Sequence, residues 1–74
     1  ENGIRVYPNP TDGVLHIESD EPVTSLTLND MAGHLVSKAE GKCETLDLSS
    51  VNTGMYLLTV NTQNSQKTSK IIKK

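Results

Sequence analysis

Turn-forming residues recur every eight to twelve positions along this chain, and the runs between them alternate apolar with polar side chains. Breakers this closely spaced leave no room for a helix of ordinary length, but each gap suits a strand of about five or six residues. The pattern predicts strands over 4–7, 14–18, 23–29, 34–39, 44–48, 55–61 and 66–73. No helical period, internal repeat or heptad interrupts it. Seven short antiparallel strands of this kind predict an all-β, immunoglobulin-like sandwich.

The faces follow from the two-residue period of a strand. Leu15 and Ile17 point to the core, as do Leu46 and Leu48. Leu26 and Leu28 share a face with Thr24, leaving Ser25 and Thr27 to water. In 55–61, Tyr56, Leu58 and Val60 lie on one face and Met55, Leu57 and Thr59 on the other, so a largely apolar strand belongs in a central position. Pro8-Asn9-Pro10 cannot lie in a central strand, because both prolines lack an N–H. After it, Asp12 is expected to bond its own backbone and Gly13 to take a positive φ. Gly33 is the positive-φ residue of a tight connection that makes 23–39 a hairpin. Tyr56, two residues after Gly54, is placed to anchor a corner by bonding its hydroxyl to nearby backbone.

At 74 residues, with no Phe or Trp and only two Tyr, the chain has room for one thin core of Leu, Val, Ile and Met. The expected organisation is a single domain, 1–74, excised from a larger secreted protein, since it starts at Glu1 without an initiator Met. No run approaches the ~18 apolar residues of a membrane span, and no signal peptide is visible at its start. Cys43 is the sole cysteine and has no internal disulfide partner; a buried or half-buried thiol is expected. The net charge of −2 hides an asymmetry: all nine acidic residues lie at or before Asp47, whereas residues 62–74 carry four Lys and no acid. Those lysines suit an edge strand that resists aggregation, and equally a cationic tag for an acidic groove. The basic stretch has no aromatic neighbours for base stacking, so a nucleic-acid partner is not expected.

No catalytic constellation is apparent, and the chain is read as no enzyme with no cofactor. His16 and His34 lie on different strands without nearby ligands, so zinc is not expected. Ser49 and Ser50 lack a nucleophile-elbow pattern. Glu18, Asp20 and Glu21, with Asp12 or Asp30 across loops, offer carboxylates but no calcium loop, and are read as solvated. A carboxylate pair for glycoside hydrolysis would need a cleft that so small a domain does not readily form.

Four segments in order carry a family resemblance: Tyr7-Pro8-Asn9-Pro10 followed by Gly13; Leu26 and Leu28 leading to Asp30 and Gly33; Asp47-Leu48-Ser49 leading to Gly54 and Tyr56; and the closing Lys70-Ile71-Ile72-Lys73. The set resembles the C-terminal sorting domain (type A) of the type IX, or Por, secretion system over roughly 4–74. Two departures are visible: Asn29 stands where the family usually has an aromatic residue, and Lys74 extends the usual end. The resemblance implies a secretion signal that takes a cargo protein from the periplasm across the outer membrane to the cell surface or medium. It implies outer-membrane type IX components and a sortase as partners, with the cargo N-terminal to the domain and the cleavage point at or before its start. Lys70, Ile71, Ile72, Lys73 and Lys74 are then expected to form the recognition element, engaged by strand addition at an unpaired edge together with charge. Weak self-association through an edge strand is a further expectation. The competing class is a small immunoglobulin-like adhesion or carbohydrate-binding module, with a linker domain of a repeat array as a third reading. The first would need an exposed aromatic platform or a metal-lined loop, and the second neighbours on both sides.

Overall fold

The computed structural model describes residues 3–41 and 44–74, so the expectation for Cys43 lies outside the described residues. The strands are β1 (Ile4–Tyr7), β2 (Val14–Ser19), β3 (Val23–Asp30), β4 (Leu35–Glu40), β5 (Thr45–Asp47), β6 (Gly54–Thr62) and β7 (Gln66–Lys73). They pair antiparallel into a three-stranded sheet, β1-β2-β5, and a four-stranded sheet, β4-β3-β6-β7. The two inner faces share one core, with Ile4, Leu15, Ile17 and Leu46 from the first sheet against Leu26, Leu28, Tyr56, Leu58, Val60 and Ile71 from the second. The chain is therefore all-β and consistent with an immunoglobulin-like sandwich, and β6 takes the central position its two apolar faces predict. Burying each large aliphatic side chain contributes about 1.5–3 kcal/mol, the main term available to a core without Phe or Trp.

One face assignment is corrected. Thr24 is exposed, and Val23 is buried beside Leu26 and Leu28. The register against β6 shifts between Val23 and Ser25, which is a β-bulge. The extra residue lets Val23 and Leu26 both point inward, a gain that strict alternation would forfeit. The bulged Thr24 is held from outside: its carbonyl accepts from Gly41 N–H at 2.8 Å, and its hydroxyl donates to the Asn61 carbonyl at 3.1 Å. A second bulge, between Leu28 and Asn29, leaves Val36 as the unmatched residue of β4.

The turn after Pro10 is also built differently from expectation. Gly13 is not among the positive-φ glycines, and the turn bond comes from Thr11 rather than Asp12. The Thr11 hydroxyl accepts from Gly13 N–H at 3.1 Å and donates to the Val14 carbonyl at 3.2 Å. Thr11 is buried, so its side chain meets this local polar demand where Asp12 lies exposed. Gly33 does adopt positive φ, at 93°.

Candidate functional site

The four motif segments, far apart in sequence, meet at one end of the sandwich. Asp30 pairs with Tyr56, Tyr56 with Ile71, and Gly54 with Lys73 across β3, β6 and β7. Thr11 bridges to Lys73 in parallel, Leu48 N–H donates to the Gly13 carbonyl at 2.6 Å, and Asp47 pairs with Val14. The opposite end, where β1 begins and β2 stops, carries none of them.

Each turn at this end is held by a side chain doing the work of backbone. Asp30 Oδ1 accepts from Ala32 N–H at 3.0 Å and from His34 N–H at 2.8 Å, while Oδ2 lies 3.2 Å from His34 Nδ1. These bonds, led by the His34 amide, hold the Asp30 carboxyl below its ordinary pKa. Asn29 Nδ2 donates to the Gly33 carbonyl at 3.1 Å, so this side chain braces the same turn. Asp47 Oδ1 accepts from Ser49 N–H at 2.9 Å, which likewise lowers the Asp47 pKa. Tyr56 donates its hydroxyl to the Asn52 carbonyl at 2.6 Å, the corner anchor its position predicts.

The Tyr7-Pro8-Asn9-Pro10 segment lies along β7. Tyr7 stacks on His16 with ring centroids 5.5 Å apart and donates to Glu18 Oε2 at 3.0 Å, which raises the Tyr7 pKa. Pro8, Asn9 and Pro10 are exposed. Asn9 acts as a substitute strand: Nδ2 donates to the Lys70 carbonyl at 2.8 Å, and Oδ1 accepts from Ile72 N–H at 3.0 Å. Thr11 continues it, its N–H donating to the Ile72 carbonyl and its carbonyl accepting from Lys74 N–H, both at 2.9 Å. The outward backbone of β7 from Lys70 to Lys74 is thus covered at these four groups, and the expectation of an unpaired edge there is not met. An Asn side chain carries the donor and acceptor of a peptide unit, which is why it fits this place.

The five terminal residues divide by face. Ile71 and Lys73 are buried, whereas Lys70 and Ile72 are exposed on the outer face of the four-stranded sheet, and Lys74 is exposed just beyond the end of β7. Lys73 Nζ donates to the Lys74 carbonyl at 3.3 Å. Lys74 Nζ lies 3.9 Å from Asp12. At the far end of β7, Lys67 reaches across the sandwich to donate to the Ile4 carbonyl at 2.9 Å. The sequence reading missed Thr11, whose buried hydroxyl and paired backbone make it the hinge of this arrangement; its place directly before Asp-Gly was the available signal.

Other groupings stay separate. Glu18 pairs with Arg5 at 2.8 Å, and Glu21 accepts from Thr62 and Asn64 at 2.8 Å each, with the Asn64 bond leading the lowering of its pKa. Among the described residues, no three His, Cys, Asp or Glu side chains gather to hold a metal ion. An open depression of about 530 Å³ lies at the end away from the motifs, with Arg5, Glu18, Asp20, Glu21 and Glu44 in its lining.

A search among curated proteins finds no match. The family described as secretion system C-terminal sorting domain matches residues 5–74, a span that includes all four convergent segments. This chain belongs to that family, the C-terminal sorting domains of type IX secretion.

Proposed function

We propose that the chain is the removable, non-catalytic address of a larger secreted protein. Membership of the family makes it a type IX sorting signal, carried as the C-terminal tail of a cargo and directing export toward the cell surface or medium. In the finer reading, the cargo reaches the periplasm first. Outer-membrane components then engage Lys70–Lys74, and a sortase cuts the domain away. The observation that carries this reading is the convergence of all four motifs around the terminal strand, at the end where Lys70, Ile72 and Lys74 stand exposed.

Burial supports a cut upstream of β1. Ile4 has no exposed surface and its carbonyl is held by Lys67, so a protease acting on the folded domain finds no extended segment there. Among the described residues, the lining of the depression at the other end holds no aromatic side chain on which a carbohydrate could stack.

The test is a fusion of residues 1–74 behind a periplasmic reporter in a cell with type IX machinery. Reporter at the surface or in the medium, with the domain removed, is the expected result. Reporter held in the periplasm with the domain intact overturns the reading. Deleting Lys70–Lys74 also removes the buried Ile71, so Lys70→Glu serves as the companion variant that leaves the core in place.

A further inference from the structure

The outer face of the four-stranded sheet is divided into two unlike halves. Toward the depression it is polar: Glu40, Ser25, Asn61 and Gln66 form one row across the strands, and Lys38, Thr27, Thr59 and Thr68 the next. Toward the motif end the rows change character. Leu35, Asn29, Leu57 and Lys70 lie in register across all four strands, with Met55 beside Ile72 in the row after. Leu35 is 60% exposed, Met55 49% and Ile72 40%. A small domain with so few large apolar residues gathers several of them on the wrong side of a sheet.

The charged residue in these two rows is a base, Lys70. Among the described residues Lys70 has no ion-pair partner, and Lys74 has only the distant Asp12. The nearest carboxylate of the hairpin, Asp30, is taken up by the amides of its own turn and by His34. The backbone of this part of β7 is already bonded to Asn9 and Thr11, so it is closed to an incoming strand while those bonds hold.

From these observations we infer that the folded domain is recognised through a face rather than an edge: Leu35, Met55, Leu57 and Ile72, with Lys70 and Lys74, form a docking surface for an export component. That component presents an apolar patch with carboxylates at its rim. The inference rests on the sorting reading above and adds to it the surface and the chemistry of the partner. Apolar contact supplies the affinity, and the lysines supply orientation and encounter rate. A second copy of the chain fits less well, because it would set these lysines against a half-face whose carboxylates are already engaged.

The reporter fusion tests this with three changes. Leu35→Thr/Met55→Thr/Ile72→Thr removes the apolar contact while placing β-branched residues, which suit strands, at all three positions, and Lys70→Glu reverses the charge. Thr68→Ser in the polar half is the control. With the fusion still folded by thermal melt and protease resistance, export is expected to fall at least tenfold for the triple variant and for Lys70→Glu, and to stay unchanged for Thr68→Ser. If the triple variant does not fold, Ile72→Thr alone and Lys70→Glu decide. Export of folded patch variants at the level of the unaltered fusion overturns the face assignment. So does a concentration-dependent dimer of the fusion that the same changes abolish, since the occupant is then a second copy. Failure of the unaltered fusion to be exported is a separate result, which sinks the sorting reading itself.

Discussion

Replacing Asn9 by Ala isolates a side chain that pairs like a strand with β7. It removes two hydrogen bonds, one to the Lys70 carbonyl and one from the Ile72 amide. A net intramolecular hydrogen bond contributes about 0.5–1.5 kcal/mol. Because Asn9 is exposed, water can reach both stranded groups, so the expected loss is near the lower end, about 1–2 kcal/mol in total. That is a large share of the roughly 4–11 kcal/mol that a chain of this length holds. The corresponding drop in Tm is about 5–15 °C. A thermal melt measures it, and amide hydrogen exchange localises it. Ile72 N–H, which loses its acceptor, should exchange faster by a larger factor than the core amides of Leu58 and Val60. Asn9→Asp sharpens the test. It keeps an acceptor for Ile72 but sets a carboxylate oxygen against the Lys70 carbonyl, so it is destabilising at neutral pH and partly recovers below about pH 4, where the protonated group can donate. A Tm for Asn9→Ala within about 2 °C of the parent, on the scale expected for a whole hydrogen bond, together with unchanged Ile72 exchange, would refute the claim that this segment secures the terminal strand.

Tyr56→Phe removes the hydroxyl bond to the Asn52 carbonyl in a largely buried setting and should lower stability by about 1–2 kcal/mol, measured by urea denaturation with an unchanged m-value. Gly33→Ala places a Cβ at φ 93° in open space, so the cost is purely conformational, about 1–2 kcal/mol, and export of a fusion should survive it. Asp30, Asp47 and Glu21 have depressed folded-state pKa values, so the stabilisation they give is complete above their ordinary values and is lost as pH falls through the depressed ones. The urea midpoint should therefore decline on the acid side of about pH 4.5, and Asp30→Asn, which still accepts from the turn amides, should flatten part of that decline at little loss near neutrality. Tyr7 is raised by its bond to Glu18, so its contribution holds at neutral pH and is lost as pH climbs through the raised value. Tyr7→Phe should remove that alkaline limb.

All seven strands and the hairpin at Gly33 were legible in the sequence because each depends on local information: alternation within a run, and a breaker at its end. Leu15, Ile17, Leu46 and Leu48 could be placed in the core on the same basis, whereas Leu58 and Val60 could be given only a shared face, because both faces of their strand are largely apolar. The Tyr56 anchor was readable because its partner lies four residues away. Thr24 and Val23 were not readable, because a bulge is chosen by what both neighbouring strands can bury together, and no window on one strand contains that comparison. Thr11 was missed for the same kind of reason, since its hydroxyl serves the local turn while its backbone serves a strand about sixty residues away in the chain.

The candidate site divides along that line. The motif residues, their order and the basic terminus stand in the sequence, and they suffice to place the chain in its family. That these segments close on one end of the sandwich, that Asn9 and Thr11 occupy the edge of β7, and that the five terminal residues split into Ile71 and Lys73 inside and Lys70, Ile72 and Lys74 outside, belong to the tertiary structure alone. A run of residues specifies which faces a strand has. Which neighbour covers each face and each edge is decided only when the remote strands pack, because burial and pairing are properties of two segments and not of one.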